Sequence, residues 1–378
     1  MKYRLTILLA VLISKVCTAQ IAVERNLNVE LVEKDSATSA KIENSLSAFL
    51  SEAKNRDYSS EYVDTVHLNK YRFFFEKMAG IGKGSDSFNH PLILKSFPLE
   101  DGSFRVTVAF TGTRDSKPFV YQVTELKAVP YRNHFRFYCA FEDNTRNFKE
   151  KKIDNVTYHF SGNFNDRKAN EFVRLVNDLS KLTGGPKPEL DYYSFQSLDE
   201  LLKSYGFLFS ARQCNFLCYD LGFTDNKGRI YMTGTGNENY IFGYIGEYLY
   251  YNLPNREQMY WPFVQGVSAY YGGYGLSYDD MAELKKQFRD ELAKNPEIDF
   301  LEEFKKGRKS DVNRHFSYYV MSAFLFEEAL DKQGFDKAIS LVYSGENGER
   351  FFENIKRVLD IEESDFHKTI VNLINKRI

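Results

Sequence analysis

The sequence predicts an α+β protein in two parts: a helix-plus-antiparallel-sheet module, then a mainly helical domain carrying a small sheet. Three observations point there. Residues 35–56 carry a helical period, with Ile42, Leu46, Phe49 and Leu50 on one face, and four alternating or short apolar segments follow. The charged residues 144–154 then interrupt that rhythm and mark a join. From Asp279 onward the pattern is almost wholly helical, with no internal repeat or low-complexity segment along the chain.

The first 19 residues read as a targeting segment. Lys2 and Arg4 precede the nine-residue run 5–13, and Cys17-Thr18-Ala19 places small residues at cleavage spacing. A bilayer span needs about 20 apolar residues. A signal peptide over 1–19 is therefore expected, with an exported chain, periplasmic or secreted. A lipid anchor on Cys17 is the competing reading, opposed by Ser14-Lys15-Val16 ahead of it. The expected domains are 20–152 and 153–378.

In the first domain a second helix is expected over 67–78, where YRFFFEKM occurs. Strands are expected over 92–97, 103–110, 118–126 and 134–141. Turn residues separate them: Glu100-Asp101-Gly102, Thr113-Arg114-Asp115 and Pro130. This order of elements resembles the cone-shaped nuclear-transport-factor-2-like domains, which use a concave sheet as a pocket or as a plain spacer.

In the second domain, 156–160 is a short strand and 167–182 an amphipathic helix bearing Phe172, Val173, Leu175, Val176 and Leu179. Thr183-Gly184-Gly185-Pro186 ends that helix. A strand over 190–195 and a helix over 198–205, capped by Ser197 and closed by Gly206, follow. Residues 229–233 read as a strand leading into a helix over 240–252.

The formal charge of -2 becomes more negative once Lys2, Arg4 and Lys15 are removed, and no basic cluster opposes that balance. Nucleic acid is excluded as a partner on this reading. With 26 Tyr and 33 Phe the chain can bury a large core and still present aromatic surface. Cys139, Cys214 and Cys218 are left after processing, an odd number for an oxidising compartment. One structural bridge or buried thiols account for them; no His or Asn motif accompanies them to make a catalytic thiol, and no spacing fits structural zinc.

Residues 240–252 read YIFGYIGEYLYYN and residues 261–273 read WPFVQGVSAYYGG. In a His-Glu-x-x-His peptidase two histidines four apart bind zinc, and the Glu between them takes a proton from metal-bound water. Here that spacing holds Gly246, Glu247 and Tyr250. The second stretch, Gln265-Gly266-Val267-Ser268-Ala269-Tyr270 with Gly272-Gly273 after it, resembles the gluzincin signature Glu-Gly-x-Ala-x-Tyr. Residues 318–330, closed by Gly334, resemble the gluzincin helix whose tyrosine stabilises the tetrahedral intermediate. Residues 351–374 resemble the closing helical segment, with Leu359 and Phe366 at core positions. The resemblance covers about 156–378.

It implies Glu247 at the general-base position, Tyr319 or Tyr318 at the transition-state position, and Gly246, Tyr250 and Gln265 at degenerate ligand positions. The six histidines, His67, His90, His134, His159, His315 and His367, include no pair four apart. Glycine has no side chain, a phenol ionises only near pH 10, and a neutral amide is a poor zinc ligand. Without metal, water keeps a pKa of about 15.7 instead of about 7, a deficit of about 12 kcal/mol. No metal and no cofactor are therefore expected. The expected function is binding of a peptide or protein segment in a cleft rimmed by Tyr244, Tyr250, Tyr270, Tyr271 and Tyr274. Two alternatives stay open. One is an active hydrolase in which Asp220, Asp225, Glu238 or Glu257 converges on Glu247; the other is a structural protein with a filled cleft, in which Tyr244, Tyr248 and Tyr251 are core and rim aromatics and His315 a surface residue.

Overall fold

The computed structural model describes residues 23–25, 36–55, 57–58, 61–79, 90–185, 187–210, 222–224, 230–234, 236–273, 281–307 and 317–376. The expected signal segment with Cys17, and likewise Cys214, Cys218, Asp220, Asp225, Tyr274 and His315, lie outside those residues. The architecture is α+β. Two compact units arise: Met1–Phe148 with Asp199–Tyr219, and Lys149–Leu198 with Asp220–Ile378. The second unit is thus assembled from two stretches of chain, and so is the first.

In the first unit, strands β1 (Glu24–Arg25), β2 (His90–Pro98), β3 (Phe104–Arg114), β4 (Lys117–Tyr131) and β5 (His134–Cys139) form a sheet in that order. Helices α1 (Ser36–Asn55), α2 (Thr65–Lys70), α3 (Arg72–Ala79) and α4 (Phe141–Thr145) belong to the same unit. Pairing is antiparallel from β2 to β5, while β1 runs parallel to β2. Asp115 and Ser116, both at positive φ, form the two-residue turn that joins β3 to β4. Helix α1 buries Ile42, Leu46, Phe49 and Leu50. Phe49 meets Phe137 of β5 at 5.1 Å, and Ser45 Oγ accepts from the Phe135 amide.

Two expectations change here. The helix over 67–78 is two helices broken at Tyr71, with Asp64 capping α2 through the Val66 and His67 amides. Pro130 does not end its strand. It lies inside β4 opposite Phe135, and the turn comes at Arg132, where φ is positive.

The second unit begins with β6 (Lys149–Ile153), β7 (Val156–Phe160), α5 (Asp166–Leu182), β8 (Leu190–Ser194) and α6 (Leu198–Ser204), the last straddling the division between units. The chain contributes β9 (Phe207–Ser210) to the first sheet, against β4. It returns with β10 (Gly222–Thr224) and β11 (Ile230–Thr233). The second sheet has the order β10-β11-β8-β7-β6, with β11, β8 and β7 mutually parallel and both edges antiparallel.

Burial alternates along β7 and β8, so Tyr158 and Tyr192 point into the core beside Tyr231. The amphipathic α5 covers that face with Phe172, Val173, Val176 and Leu179. Tyrosine suits this core because its hydroxyls find partners: Tyr158 donates to Ala169 O at 3.0 Å, Tyr192 to Asn237 O at 2.7 Å and Tyr231 to Tyr240 O at 3.0 Å.

Helices then follow: α7 (Ile241–Asn252), α8 (Trp261–Gly272), α9 (Met281–Lys294), α10 (Phe300–Lys306), α11 (Ser317–Gln333), α12 (Phe335–Ser340), α13 (Phe351–Leu359) and α14 (Phe366–Asn375). Helix α11 is buried on every side between Tyr318 and Phe326, so it is the axis around which the others pack. The closing segment splits at Asp360, whose left-handed conformation ends α13, and Leu359 and Phe366 are both buried. No helix among the described residues is long and apolar enough to cross a membrane.

Candidate functional site

Helices α7 and α8 lie side by side and antiparallel. At one end, Gly272 of α8 packs on the Phe242 backbone of α7, so close that a Cβ there would collide. At the other end, the Tyr250 and Trp261 rings meet edge-on, 6.5 Å apart and inclined at 83°. Between them sits Gly246. A Cβ on Gly246 would lie 3.2 Å from Gln265 Nε2, 3.4 Å from Ser268 Oγ and 4.0 Å from the Trp261 ring. Gly246 and Gln265 therefore face each other across the helix pair.

The other face of α8 packs on α11. A Cβ on Gly266 would fall 2.5 Å from Ser322 Cβ and 2.8 Å from its carbonyl carbon. That face continues one turn later, where Tyr270 meets Phe326 at 5.2 Å and Tyr271 lies 6.1 Å from the same ring. Tyr270 and Tyr271 are half-buried beside α11 rather than on the rim shared with Gly246. Burial, with Tyr270 second, pushes the Tyr271 phenol up to about 12.

Tyr244 also leaves the rim. It is 2% exposed and packs on Phe172 at 5.0 Å and Tyr231 at 5.4 Å, because two residues before Gly246 is the far side of the helix. Burial and then Tyr248 hold its phenol well above the usual range. Tyr248 is a core residue too, with its hydroxyl 2.8 Å from Thr183 Oγ1.

The open end of the pair carries a cluster that the tyrosine count did not single out. Trp261 is 40% and Tyr250 39% exposed, and the Arg256 guanidinium lies 5.1 Å from the Tyr250 ring centre and 5.4 Å from that of Tyr251. The sequence signal was there: the chain has one tryptophan, placed at the first turn of α8.

Glu247 is half-buried. Its charge helps to raise the Tyr231 phenol, after burial and the neighbouring Tyr192 and Tyr240. Tyr318 and Tyr319 sit at the start of α11 with ring centres 4.1 Å apart, and both are buried. Of the acids proposed to join Glu247, Glu238 is buried beside Tyr158 and Tyr192, and Glu257 is exposed in the turn Arg256–Gln258.

These residues do not fit zinc. Gly246 offers no donor, Gln265 a neutral amide, and Tyr250 a phenol that faces Trp261 and Arg256 at the surface. Among the described residues no three His, Cys, Asp or Glu side chains gather as a metal-ion cluster. Four of the five described histidines are engaged elsewhere: His67 accepts from the Cys139 amide, His134 Nε2 lies 2.9 Å from Glu61 O, His159 lies 2.9 Å from Asp191 Oδ1, and His367 accepts from the Phe300 amide. Cys139 is a free, buried thiol, pushed up by desolvation.

No protein-family model matches the chain, and no curated protein matches it. Among solved structures it is similar to an M1 zinc metallopeptidase from Deinococcus radiodurans. A Glu-to-Ala mutant of that protein gives 8% identity and a TM-score of 0.31 over 77% of this chain. The mutant bound to a Tyr-Ser-Ala substrate gives 10% and 0.31 over 77%, and the protein without the mutation 8% and 0.31 over 76%. The chain covers 66%, 66% and 65% of those proteins, just under two thirds of their length. At that score the likeness carries no argument about fold or chemistry.

Proposed function

We propose that the chain is an exported, catalytically degenerate relative of the gluzincin metallopeptidases, and that the exposed Trp261–Tyr250–Arg256 end of the α7–α8 pair binds a peptide or protein segment. The observation that carries this is Gly246 facing Gln265, with Ser268 and Trp261 beside them. An imidazole extends several ångströms beyond Cβ, so the space a first histidine would occupy holds the Gln265 amide instead. Glu247 without a metal to acidify water is not a hydrolytic base of any strength. At the mouth, Trp261, Tyr250 and Arg256 are the residue types that anchor protein partners. The first unit, in this reading, is a nuclear-transport-factor-2-like spacer.

The test uses the single tryptophan. Purified mature protein is titrated with peptide libraries while Trp261 emission is followed, alongside metal analysis and a cleavage assay. A saturable spectral shift with no turnover supports the proposal. Stoichiometric zinc with Glu247-dependent cleavage sinks it in favour of a hydrolase. The same packing of Gln265 and Ser268 against Gly246 favours a second reading, a purely structural helix pair, and an emission unmoved by any peptide selects it.

A further inference from the structure

The turn that carries Arg256 is tied to a second arginine. Gln258, the last residue of that turn, accepts at its backbone carbonyl from the Gly345 amide at 2.9 Å. Its side-chain Oε1 accepts from Arg350 Nη2 at 3.4 Å. Asn255, at positive φ, closes the turn from the other side by accepting from the Gln258 amide at 2.9 Å. Arg350 is thus linked to the same end of the helix pair as Trp261, Tyr250 and Arg256.

Both arginines are exposed, and neither forms an ion pair with a carboxylate among the described residues. Their partners are neutral. Arg256 lies over the Tyr250 and Tyr251 rings and donates to Tyr251 O at 3.3 Å, while Arg350 donates to Gln258 Oε1 and to Tyr343 O, both at 3.4 Å. Acids stand nearby in the chain, namely Glu257, Glu346, Glu349 and Glu353, yet none of them pairs with either guanidinium; Glu349 accepts from the Asn347 amide instead. Exposed arginines elsewhere, such as Arg72, Arg132 and Arg167, do find a carboxylate.

The fold gives these two charges little to do. Arg256 follows the C-terminal end of α7, where a cation is favoured, but one contact to Tyr251 O leaves most of its donors unspent. Arg350 is the N-cap of α13 without a side-chain cap bond, so its charge opposes the helix dipole there. A guanidinium held against aromatic rings is weakly hydrated, and its fork of donors matches a carboxylate.

We infer that the segment taken by this end is acidic: an aromatic side chain lies against Trp261 and Tyr250, and Asp or Glu carboxylates beside it accept from Arg256 and Arg350. The inference rests on the reading of this end as a peptide site and adds the sign of the partner. The chain as a whole is net negative, so a surface with two unpaired cations is where an acidic partner is steered rather than repelled.

The full mature chain is titrated with acetyl-Gly-Phe-Asp-Glu-Gly-amide, its neutral twin acetyl-Gly-Phe-Asn-Gln-Gly-amide and the basic acetyl-Gly-Phe-Lys-Lys-Gly-amide, by Trp261 emission and calorimetry. The acidic peptide should bind about 10-fold tighter than its neutral twin, by less as salt rises. Arg256→Gln and Arg350→Gln should each cut that preference by about 3- to 10-fold. Arg174→Gln, at an exposed arginine of α5, should leave it unchanged. If peptide libraries shift Trp261 emission but the neutral or basic peptide binds as tightly as the acidic one, the inference fails and the peptide site stands. It fails likewise if both Gln variants, shown folded by circular dichroism, keep the parent's preference. An emission that no peptide moves removes the peptide reading and this inference together, and a heparin tetrasaccharide that binds where no peptide does overturns both in favour of an anionic glycan.

Discussion

Replacing Gly266 and Gly246 separately by alanine tests the arrangement of α7, α8 and α11. Both lie inside helices, where alanine is better than glycine by about 1 kcal/mol. They differ in what the new methyl meets. At Gly266 the nearest atoms are Ser322 Cβ at 2.5 Å, its carbonyl carbon at 2.8 Å and Ala323 N at 2.9 Å. Carbon contacts settle at about 3.5–4.0 Å, so α8 and α11 must part by about 1 Å. Two of those three atoms are backbone and cannot rotate away. Overpacking then costs about 3 kcal/mol, the upper end of the usual range, leaving Gly266→Ala destabilised by about 2 kcal/mol after the propensity gain. At Gly246 the nearest atom is the end of the flexible Gln265 side chain, 3.2 Å away. A few tenths of an ångström of amide movement suffices, and Gly246→Ala should be neutral or stabilised by up to about 1 kcal/mol. At about 2–4 °C per kcal/mol, the two melting temperatures should differ by about 5–10 °C. Calorimetric melts resolve this, and unfolding of the helical unit is the transition to follow. If Gly266→Ala melts at or above the parent temperature, α8 does not cross α11 at Ser322 and the placement of Gln265 loses its support.

Four further outcomes follow from the same structure. The triple variant Gly246→His, Tyr250→His, Gln265→Glu should take up one zinc per chain by metal analysis, since those positions share one face of α7 and α8; failure to bind zinc in a folded variant counts against the gluzincin reading. Trp261→Ala should weaken peptide binding by more than about 1 kcal/mol, the mark of an interfacial anchor, as read by calorimetry. Lys285, 3% exposed, pairs with Glu327 at 2.5 Å. Lys285→Met should therefore cost about 2–3 kcal/mol by leaving the carboxylate unpaired, and adding Glu327→Leu should recover most of it in denaturant melts. Desolvation, only partly opposed by Glu142, lowers His67 to about 4, against about 6.5 unfolded. Its folded value being depressed, it contributes stability that is present above about pH 6.5 and lost as pH falls to about 4, about 3 kcal/mol in all. A His67→Gln variant should show a flatter loss across that window in urea melts at graded pH.

Much of the fold was legible because burial writes a period into the chain. Helix α1 buries the stripe Ile42, Leu46, Phe49 and Leu50, and α5 starts beside Asn165, which caps the Lys168 amide, one residue from where its pattern begins. Strand β6 was illegible for a physical reason. Lys149-Glu150-Lys151-Lys152-Ile153 is an edge strand with no apolar alternation, and charge on an edge deters further pairing. The pairing of β9 with β4 joins residues far apart in sequence, which no local pattern announces. In the site, the pairing of Gly246 with Gln265 followed from the gluzincin resemblance and not from helical spacing, which relates positions within one helix only. Spacing does separate Tyr244, Tyr270 and Tyr271 from that pair: two residues before Gly246 and five or six after Gln265 are different faces.

What the motif-like stretch of α8 does in this chain is packing. Gly272 seats its end on the start of α7, Gly266 seats its middle on α11, and Ser268 and Gln265 fill the hollow beside Gly246. A helix pinned on two sides has little freedom to slide or rotate, so the side chain at position 265 is held against Gly246 whatever its chemistry. In a metal site that constraint would hold a ligand in place. Here it holds an amide beside Gly246. The Trp261–Tyr250–Arg256 end joins the two helices and yet keeps Trp261 and Tyr250 partly exposed. Binding at that end, as proposed, would need no rearrangement of the filled interior.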